Sequence, residues 1–371
     1  MHISDTHLGA IQYGIPEREY DFYDSFREGI QIAIEKDVDF IIHSGDLFDS
    51  ARPSNRALRV VEESMLELQK HNIPVFAIAG DHDRPKVRDN PSHVLFDVFG
   101  LRFLGLENFQ GTNFTKDGEE IFIGGVSNLK AFRREALKAE YDRASVEAKN
   151  HRISIFISHQ AISPMFPPES SEAREEDLPV NFTYMAFGHV HQFIKKKYGT
   201  SIFAYAGSTE VKSTNEISGL TRQGKGVNII DTDGESTEFE RVILKSVRPQ
   251  REISGTMDEC FDQLDKIRKE TNVKKPVISL HIRGKPNMEY LRKNIREYDE
   301  YFIMRQPIIE GDEESIEMAP SFEENIESIF NQYFGDEKKG NMALSIYRTI
   351  KDGKYSDEDI LKICREGIND N

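Results

Sequence analysis

Short apolar runs rich in β-branched residues punctuate the first part of the chain, and each breaks off at a loop bearing acidic or histidine side chains. MHIS precedes Asp5, DFIIHSG leads into Asp46, and PVFAIAG leads into Asp81. Runs of this length and composition are predicted to be buried strands. Between them lie two stretches with helical spacing. Phe22, Phe26, Ile30 and Ile34 recur every four residues in EREYDFYDSFREGIQIAIEKD. Leu58, Val61, Met65 and Leu68 mark one face of SNRALRVVEESMLELQKHN, with Ser54 as the expected N-cap. This strand–helix–strand alternation predicts an α/β arrangement with crossover helices. From RFLGL onward the apolar runs are more strand-like: EIFIGGV, ISIFISH, YMAFGHVH, SIFAYAGS and KGVNIID, interrupted by one long polar helix near residues 130–150. Helices early and strands late predict an α/β (α+β) fold class, with a two-sheet β-sandwich core flanked by helices over residues 1–246. MHIS is short against a usual strand of about five or six residues, which leaves open a start a few residues upstream.

VRPQR (247–251) reads as a linker. Beyond it, REISG, a helix across MDECFDQLDKIRKE, the strand PVISLHIRG, a helix across NMEYLRKNIREYDE and the strand YFIMRQPII form a β-α-β-α-β run, predicting a small α/β domain over 252–310. GDEESIEMAP is acidic and ends in proline, a second linker. Phe322, Ile326, Ile329, Phe330 and Tyr333 then recur at helical spacing, and further helices are expected through MALSIYRTI and from Ser356, giving a helical tail over 320–371. Amphipathic helices beyond such a linker either pack on their own domain or dock a partner protein.

Composition narrows the setting. The chain has 371 residues, 38% hydrophobic and 30% charged, which suits a globular protein of two domains. No apolar run is long enough to span a bilayer, so no membrane association is expected. Cys260 and Cys364 match no metal-knuckle spacing and fit a reducing, intracellular compartment. A net charge of −16 argues against a protein that coats nucleic acid non-specifically. It does not exclude a nuclease, because bound dications and local basic stretches offset the global field near a site.

The candidate chemistry lies at the ends of the predicted strands: Asp5-x-His7, Gly-Asp46, Gly-Asp81-His82-Asp83, His159 after ISIFIS, and Gly-His189-x-His191. Each piece alone is an ordinary turn or cap. In this order, each at a strand end, they are a constellation. Alternate residues of an extended segment share a face, so His189 and His191 can reach one site. The carboxylates Asp5, Asp46 and Asp81 with the imidazoles His7, His159, His189 and His191 form an oxygen and nitrogen donor set suited to first-row dications such as Mn²⁺. Arg52, Arg84 with Lys86 and Arg88, and Lys195, Lys196 and Lys197 flank these motifs. Singly such charges are usually a solvated face; together they could contact duplex phosphates.

This order resembles the calcineurin-like metallophosphoesterases, whose third motif usually reads Gly-Asn-His-Asp or Gly-Asn-His-Glu. More narrowly, LGAIQYGIPEREYDFYDSF, HSGDLFDSARPS, ISHQAI, FGHVHQ and YAGSTE look like the SbcD-type, or "meiotic recombination eleven", nucleases of DNA double-strand-break repair. The resemblance is strong over about residues 1–240 and weaker in the small domain and tail. It implies one metal on Asp5, His7 and His191, sharing Asp46 with a second metal on Asp81, His159 and His189. It implies that His82 steadies the phosphate or protonates the leaving oxygen, and Asp83 beside it either orients that ring or serves only as a turn residue. It implies two Mn²⁺, 3′→5′ exonuclease and single-strand endonuclease activity on DNA ends, and a capping role for residues 252–310. It further implies a homodimer built partly through helices near 54–72 and 88–99, and a coiled-coil ABC-type ATPase held by the tail. Two positions depart from the pattern. Asp81 replaces the usual Asn, which predicts an altered metal demand, and Asp49 stands where some relatives carry a second histidine. The rival readings are a small-molecule phosphodiesterase or nucleotidase with the same site, and a scaffold of this fold with impaired catalysis.

Overall fold

Alternation within very short strands sorts the apolar side chains into separate cores. The structure, a computed structural model, describes residues 1–85, 90–130, 133–270, 272–310 and 344. Strands β1 (His2–Ile3), β2 (Ile41–His43), β3 (Val75–Ala77) and β4 (Leu101–Phe103) run parallel. On one face Ile3, Ile41 and Val75 pack with Tyr23, Phe26 and Ile30 of α1 (Pro16–Glu35) and Val61, Met65 and Leu68 of α2 (Asn55–Lys70). Pro16 opens α1 with its φ already set for a helix, and the Ser54 side chain accepts the Ala57 N–H to cap α2.

The second sheet comes from β5 (Gln110–Lys116), β6 (Glu119–Val126), β7 (Ile153–His159), β10 (Tyr184–Gly188), β11 (Ile194–Tyr198) and β12 (Ser201–Tyr205), after a two-stranded detour through β8 (Ile162–Ser163) and β9 (Ala173–Arg174). With β13 (Gly226–Thr232) and β14 (Thr237–Ile243) the sheets have the orders β14-β13-β1-β2-β3-β4 and β11-β12-β10-β7-β6-β5. Ile42, Phe76 and Ile78 of the first sheet meet Ile123, Ile155, Ile157 and Ala186 of the second in a buried core between them. Burial of each such side chain contributes roughly 1.5–3 kcal/mol. The outer face of the second sheet is covered by α3 (Arg134–Ala148), where Leu137 and Tyr141 pack with Phe156 and Phe187. The expected two-sheet sandwich flanked by helices is therefore present. Strands β5, β8, β9, β11 and β14 are additions to the predicted set.

Residues 247–251 are not the free linker that the sequence suggests. Arg248 and Gln250 are buried, and Arg248 forms an ion pair with Asp21 of α1. From there β15 (Gln250–Gly255), α5 (Met257–Ile267), β16 (Val277–Arg283), α6 (Met288–Ile295) and β17 (Ile303–Met304) form a parallel β-α-β-α-β layer around Leu264, Ile278, Leu280 and Leu291. Thr256 and Glu259 close a reciprocal capping box at the start of α5. Contacts gather Met1–Ile282 and Pro286–Ile308 into one unit. The helical tail expected over 320–371 lies outside the described residues, Leu344 apart. Among the described residues no helix is long and apolar enough to cross a membrane.

Candidate metal centre

Parallel strands send their C-terminal ends to one edge, and both sheets do so here. β1, β2 and β3 deliver Asp5 and His7, Asp46, and Asp81 with His82; β7 and β10 deliver His159, and His189 with His191. The loops turn sharply to aim these side chains inward. Asp5, His7, Asp46 and His189 have φ of 50°, 43°, 53° and 86°, a left-handed region that costs a side-chain-bearing residue energy. Such strain concentrated at four candidate ligands marks a site whose geometry the surrounding fold enforces. Gly80 permits the closest approach, since a Cβ there would overlap Asp46 Oδ1 and lie 2.6 Å from the Asp46 backbone nitrogen.

All seven predicted ligands are brought together, and they resolve into two groups. Donor atoms of Asp5, His7 and His191 lie within 4.8 Å of one another, as do those of Asp81, His159 and His189. Asp46 Oδ2 stands between the groups, 3.6 Å from His7 Nε2 and 3.5 Å from His159 Nε2. His7 Nε2 and His191 Nε2 are 3.0 Å apart, while Asp81 Oδ1 is 3.3 Å from His159 Nε2 and 3.2 Å from His189 Nδ1. Neighbouring groups fix two of the rings. His159 Nδ1–H donates to the Ser44 carbonyl at 2.8 Å, and His191 Nδ1 meets Glu216 Oε1 at 2.8 Å, so each turns Nε2 to the centre. Asp5 Oδ1 accepts the His189 N–H, yet buried Asp5 Oδ2 has no hydrogen-bond partner. A desolvated carboxylate oxygen without a donor, beside convergent imidazole nitrogens, fits a cation.

The electrostatics agree with that donor chemistry. Burial pushes the Asp46 carboxyl up, but the charges of His159 and His7 outweigh it and hold Asp46 well below the usual carboxylate range. Asp81, likewise opposed by burial, is held low by hydrogen bonds from His159 and His189. The same contacts raise His159 well above an ordinary histidine against its burial, and raise His189. Burial lowers His7. Metal ligation requires neutral imidazoles, so an ion held by the second group would displace their protons and bind less well in acid.

Of the remaining predicted residues, His82 joins the centre, its donor atom within 4.8 Å of those of His7 and Asp46. His82 stands beside His7 with ring centroids 4.9 Å apart, and its Nδ1–H donates to the Asp49 carbonyl at 2.8 Å. That carbonyl, and not Asp83, orients the ring. The Asp83 carboxylate is buried beneath the loop and accepts the N–H groups of Leu47, Phe48 and Gly80 at 3.2, 2.9 and 3.0 Å. Its work is to staple the Asp46 and Asp81 loops, which corrects the ring-orienting reading in favour of the turn reading. Arg84 is spent on the Leu106 and Asn128 carbonyls and Glu107. Lys196 pairs with Glu175, Lys195 lies over the Phe239 ring, and both are on β11. Arg52 and Lys197 are exposed, and Lys86 and Arg88 lie outside the described residues.

Two important side chains come from the YAGSTEVKSTNE stretch, to which the sequence reading assigned no role. Glu216 accepts from His191, Ser208, Ser213 and buried Lys225, and these contacts hold it well below the ordinary glutamate value despite burial. Ser213-x-x-Glu216 is a capping-box pattern and was the available signal. Lys212 places Nζ 2.6 Å from Asp49 Oδ1 and 3.0 Å from His7 Nδ1. Nothing local in the sequence marks that convergence.

Comparison with known proteins gives consistent findings. The family model described as calcineurin-like phosphoesterase matches residues 1–193. A DNA double-strand break repair protein Mre11 from Thermoplasma acidophilum is 42% identical over 350 residues, covering 93% of this chain and 92% of that relative. Proteins of the same name from Methanococcus maripaludis and Methanocaldococcus jannaschii are 31% and 32% identical, over 97% and 94% of this chain and 96% and 94% of theirs.

Proposed function

This chain belongs to the calcineurin-like phosphoesterase family, among the DNA double-strand break repair proteins called Mre11, and from that premise we propose how its centre works. It is a metal-dependent phosphoesterase that cuts DNA in double-strand-break repair. Our reading is that Mn²⁺ is the working ion, with 3′→5′ exonuclease action on duplex ends and endonuclease action on single strands. The observation that supports a two-ion centre is the division of the seven predicted ligands into two groups with Asp46 between them.

In this reading Asp5, His7 and His191 would hold one ion and Asp81, His159 and His189 the other, with Asp46 within reach of both groups. Two ions so held would supply Lewis acidity toward a phosphodiester and a nucleophile at neutral pH. The Ser44 carbonyl and Glu216 keep His159 and His191 in the ligating tautomer. His82, its Nδ1 anchored on the Asp49 carbonyl, is placed to steady the phosphate or to give a proton from Nε2 to the leaving oxygen, worth roughly 10²–10⁴-fold if it acts as the general acid. Asp83 keeps the two carboxylate loops in register.

The domains are read as nuclease over 1–246, cap over 252–310 and partner-docking tail over 320–371. Exposed Leu66 on α2 and Val94, Leu95 and Val98 on the 92–99 segment support a homodimer through that face. A coiled-coil ABC-type ATPase is the proposed partner of the tail, and the setting is intracellular. The test is digestion of end-labelled duplex and hairpin DNA with Mn²⁺, Mg²⁺ or chelator, beside a small chromogenic diester. Preferential Mn²⁺-dependent cutting of DNA is expected. Hydrolysis of the small diester with DNA left intact would overturn the reading.

A further inference from the structure

The pocket formed by the four loops is strongly acidic for a protein that must admit a phosphodiester. Asp5, Asp46, Asp49 and Asp81 bring four carboxylates to it. Two dications would balance those charges, and neutral imidazoles add none, so the loaded pocket would offer an incoming diester no net attraction. One further cation reverses this. Lys212 Nζ lies 3.4 Å from both ring nitrogens of His82 and 3.0 Å from His7 Nδ1, at the mouth of the pocket. Two other cations among the described residues already have partners. Lys225 is buried against Glu216, the Ser208 hydroxyl and the His191 carbonyl, and Arg84 is bound to two carbonyls and Glu107.

The backbone around Lys212 is built to hold one position. Its own N–H donates to Glu216 Oε1 at 3.3 Å. The preceding Val211 carbonyl and Glu210 carboxylate accept from fully buried Arg18 at 2.9 and 3.1 Å. The side chain, in contrast, is held by the ion pair to Asp49 at 2.6 Å beside the His7 and His82 rings, with 21% of the lysine and 32% of the aspartate side chain exposed. A lysine ammonium on its flexible stem, with three rotatable donors, can exchange one oxygen partner for another. From this geometry we infer that Lys212 is the phosphate-binding side chain of the site: its ammonium leaves Asp49 for a non-bridging phosphate oxygen when the substrate enters beside His82. Asp49 is then the resting partner, holding the ammonium in place and competing with the phosphate for it. The inference rests on the nuclease reading of the metal centre.

Lys212→Met keeps the stem and removes the charge, Lys212→Arg keeps a cation, and Asp49→Asn removes the competitor. Calorimetry with Mn²⁺ alone, and then with inorganic phosphate on the Mn²⁺-loaded protein, reads binding without turnover. Lys212→Met is expected to bind two Mn²⁺ as wild type does, to bind phosphate about tenfold or more weakly, and to lose about 10²-fold in kcat/KM on DNA. Lys212→Arg is expected to recover most of the phosphate affinity, and Asp49→Asn to exceed wild type. Unchanged phosphate binding in Lys212→Met, lost Mn²⁺ binding in that variant, failure of Arg to rescue, or weaker phosphate binding in Asp49→Asn would each overturn the inference. A wild-type protein that binds phosphate through Lys212 but cuts no DNA would instead sink the nuclease reading and leave the phosphate site standing.

Discussion

Replacing Gly80 with alanine tests whether the loops carrying Asp46 and Asp81 are as tightly interlocked as the structure shows. A methyl group there would overlap Asp46 Oδ1 and stand 2.6 Å from the Asp46 backbone nitrogen, where ordinary contact begins at 3.4 Å. The carboxylate can swing away, though only by leaving its place between His7 and His159. The backbone cannot, so the loops must part by about 0.8 Å, the difference between those two distances. Overpacking of this kind costs about 1–3 kcal/mol, a fall of several degrees in Tm. A displacement near 1 Å at a reacting centre costs on the order of 10²-fold in rate. The predicted variant is therefore folded, slightly less stable, deficient in at least one Mn²⁺ by calorimetry, and about a hundredfold slower on end-labelled duplex. Gly219→Ala is the control. Gly219 lies in α4 (Ile217–Gln223), its nearest neighbour would be Gln192 Cγ at 3.7 Å, and a helix gains roughly 0.5–1 kcal/mol from the change. A Gly80→Ala protein with two tightly bound Mn²⁺ and a wild-type rate would refute the interlocking argument.

Glu216→Gln leaves buried Lys225 without its carboxylate, and breaking such a pair costs roughly 3–5 kcal/mol. With the His191 Nδ1 partner altered, Mn²⁺ affinity should also fall about 10–100-fold, and calorimetry showing neither effect would reject the role. Asp81→Asn should change the Mn²⁺ concentration needed for half-maximal activity, because the amide carries no charge toward the ion; an unchanged Mn²⁺ dependence and rate would reject that effect of Asp81. Burial raises the Asp21 carboxyl, but hydrogen bonds from Arg248 and Lys274 with the Arg18 charge outweigh it and hold it below the ordinary 3.8. A carboxyl depressed in the folded state contributes stability above its unfolded value, lost as pH falls through the lower folded one. Below about pH 4, Tm should thus fall more steeply for wild type than for Asp21→Asn, and parallel curves would contradict the linkage.

What the sequence disclosed follows from which interactions are local. The strands ahead of the candidate ligands were legible because both their faces are buried, so they read as unbroken apolar runs. Gln110–Lys116, Ile194–Tyr198 and Thr237–Ile243 were not, because they lie at or beside sheet edges and carry many polar, exposed residues. The 247–251 segment looked like a linker because its polar residues find partners far along the chain: Arg248 meets Asp21, and Gln250 meets Gln12. The ligand set was legible from the order of motifs. The position of Asp83 beneath the loop depends on how that loop turns, and the approach of Lys212 to Asp49 and His82 depends on tertiary folding; neither leaves a periodic trace.

The site's origin from both sheets bears on when the molecule becomes dangerous to DNA. β1, only His2–Ile3, is paired by β2 on one side and by β13 on the other. His159, His189 and His191 arrive on strands synthesised after the first sheet's parallel core. A nascent chain that has emerged only through β4 owns Asp5, His7, Asp46 and Asp81, a half-jaw with nothing to close against. A chain cut short before His159 therefore lacks three of the seven candidate ligands, and the centre can be completed only after the second sheet is made.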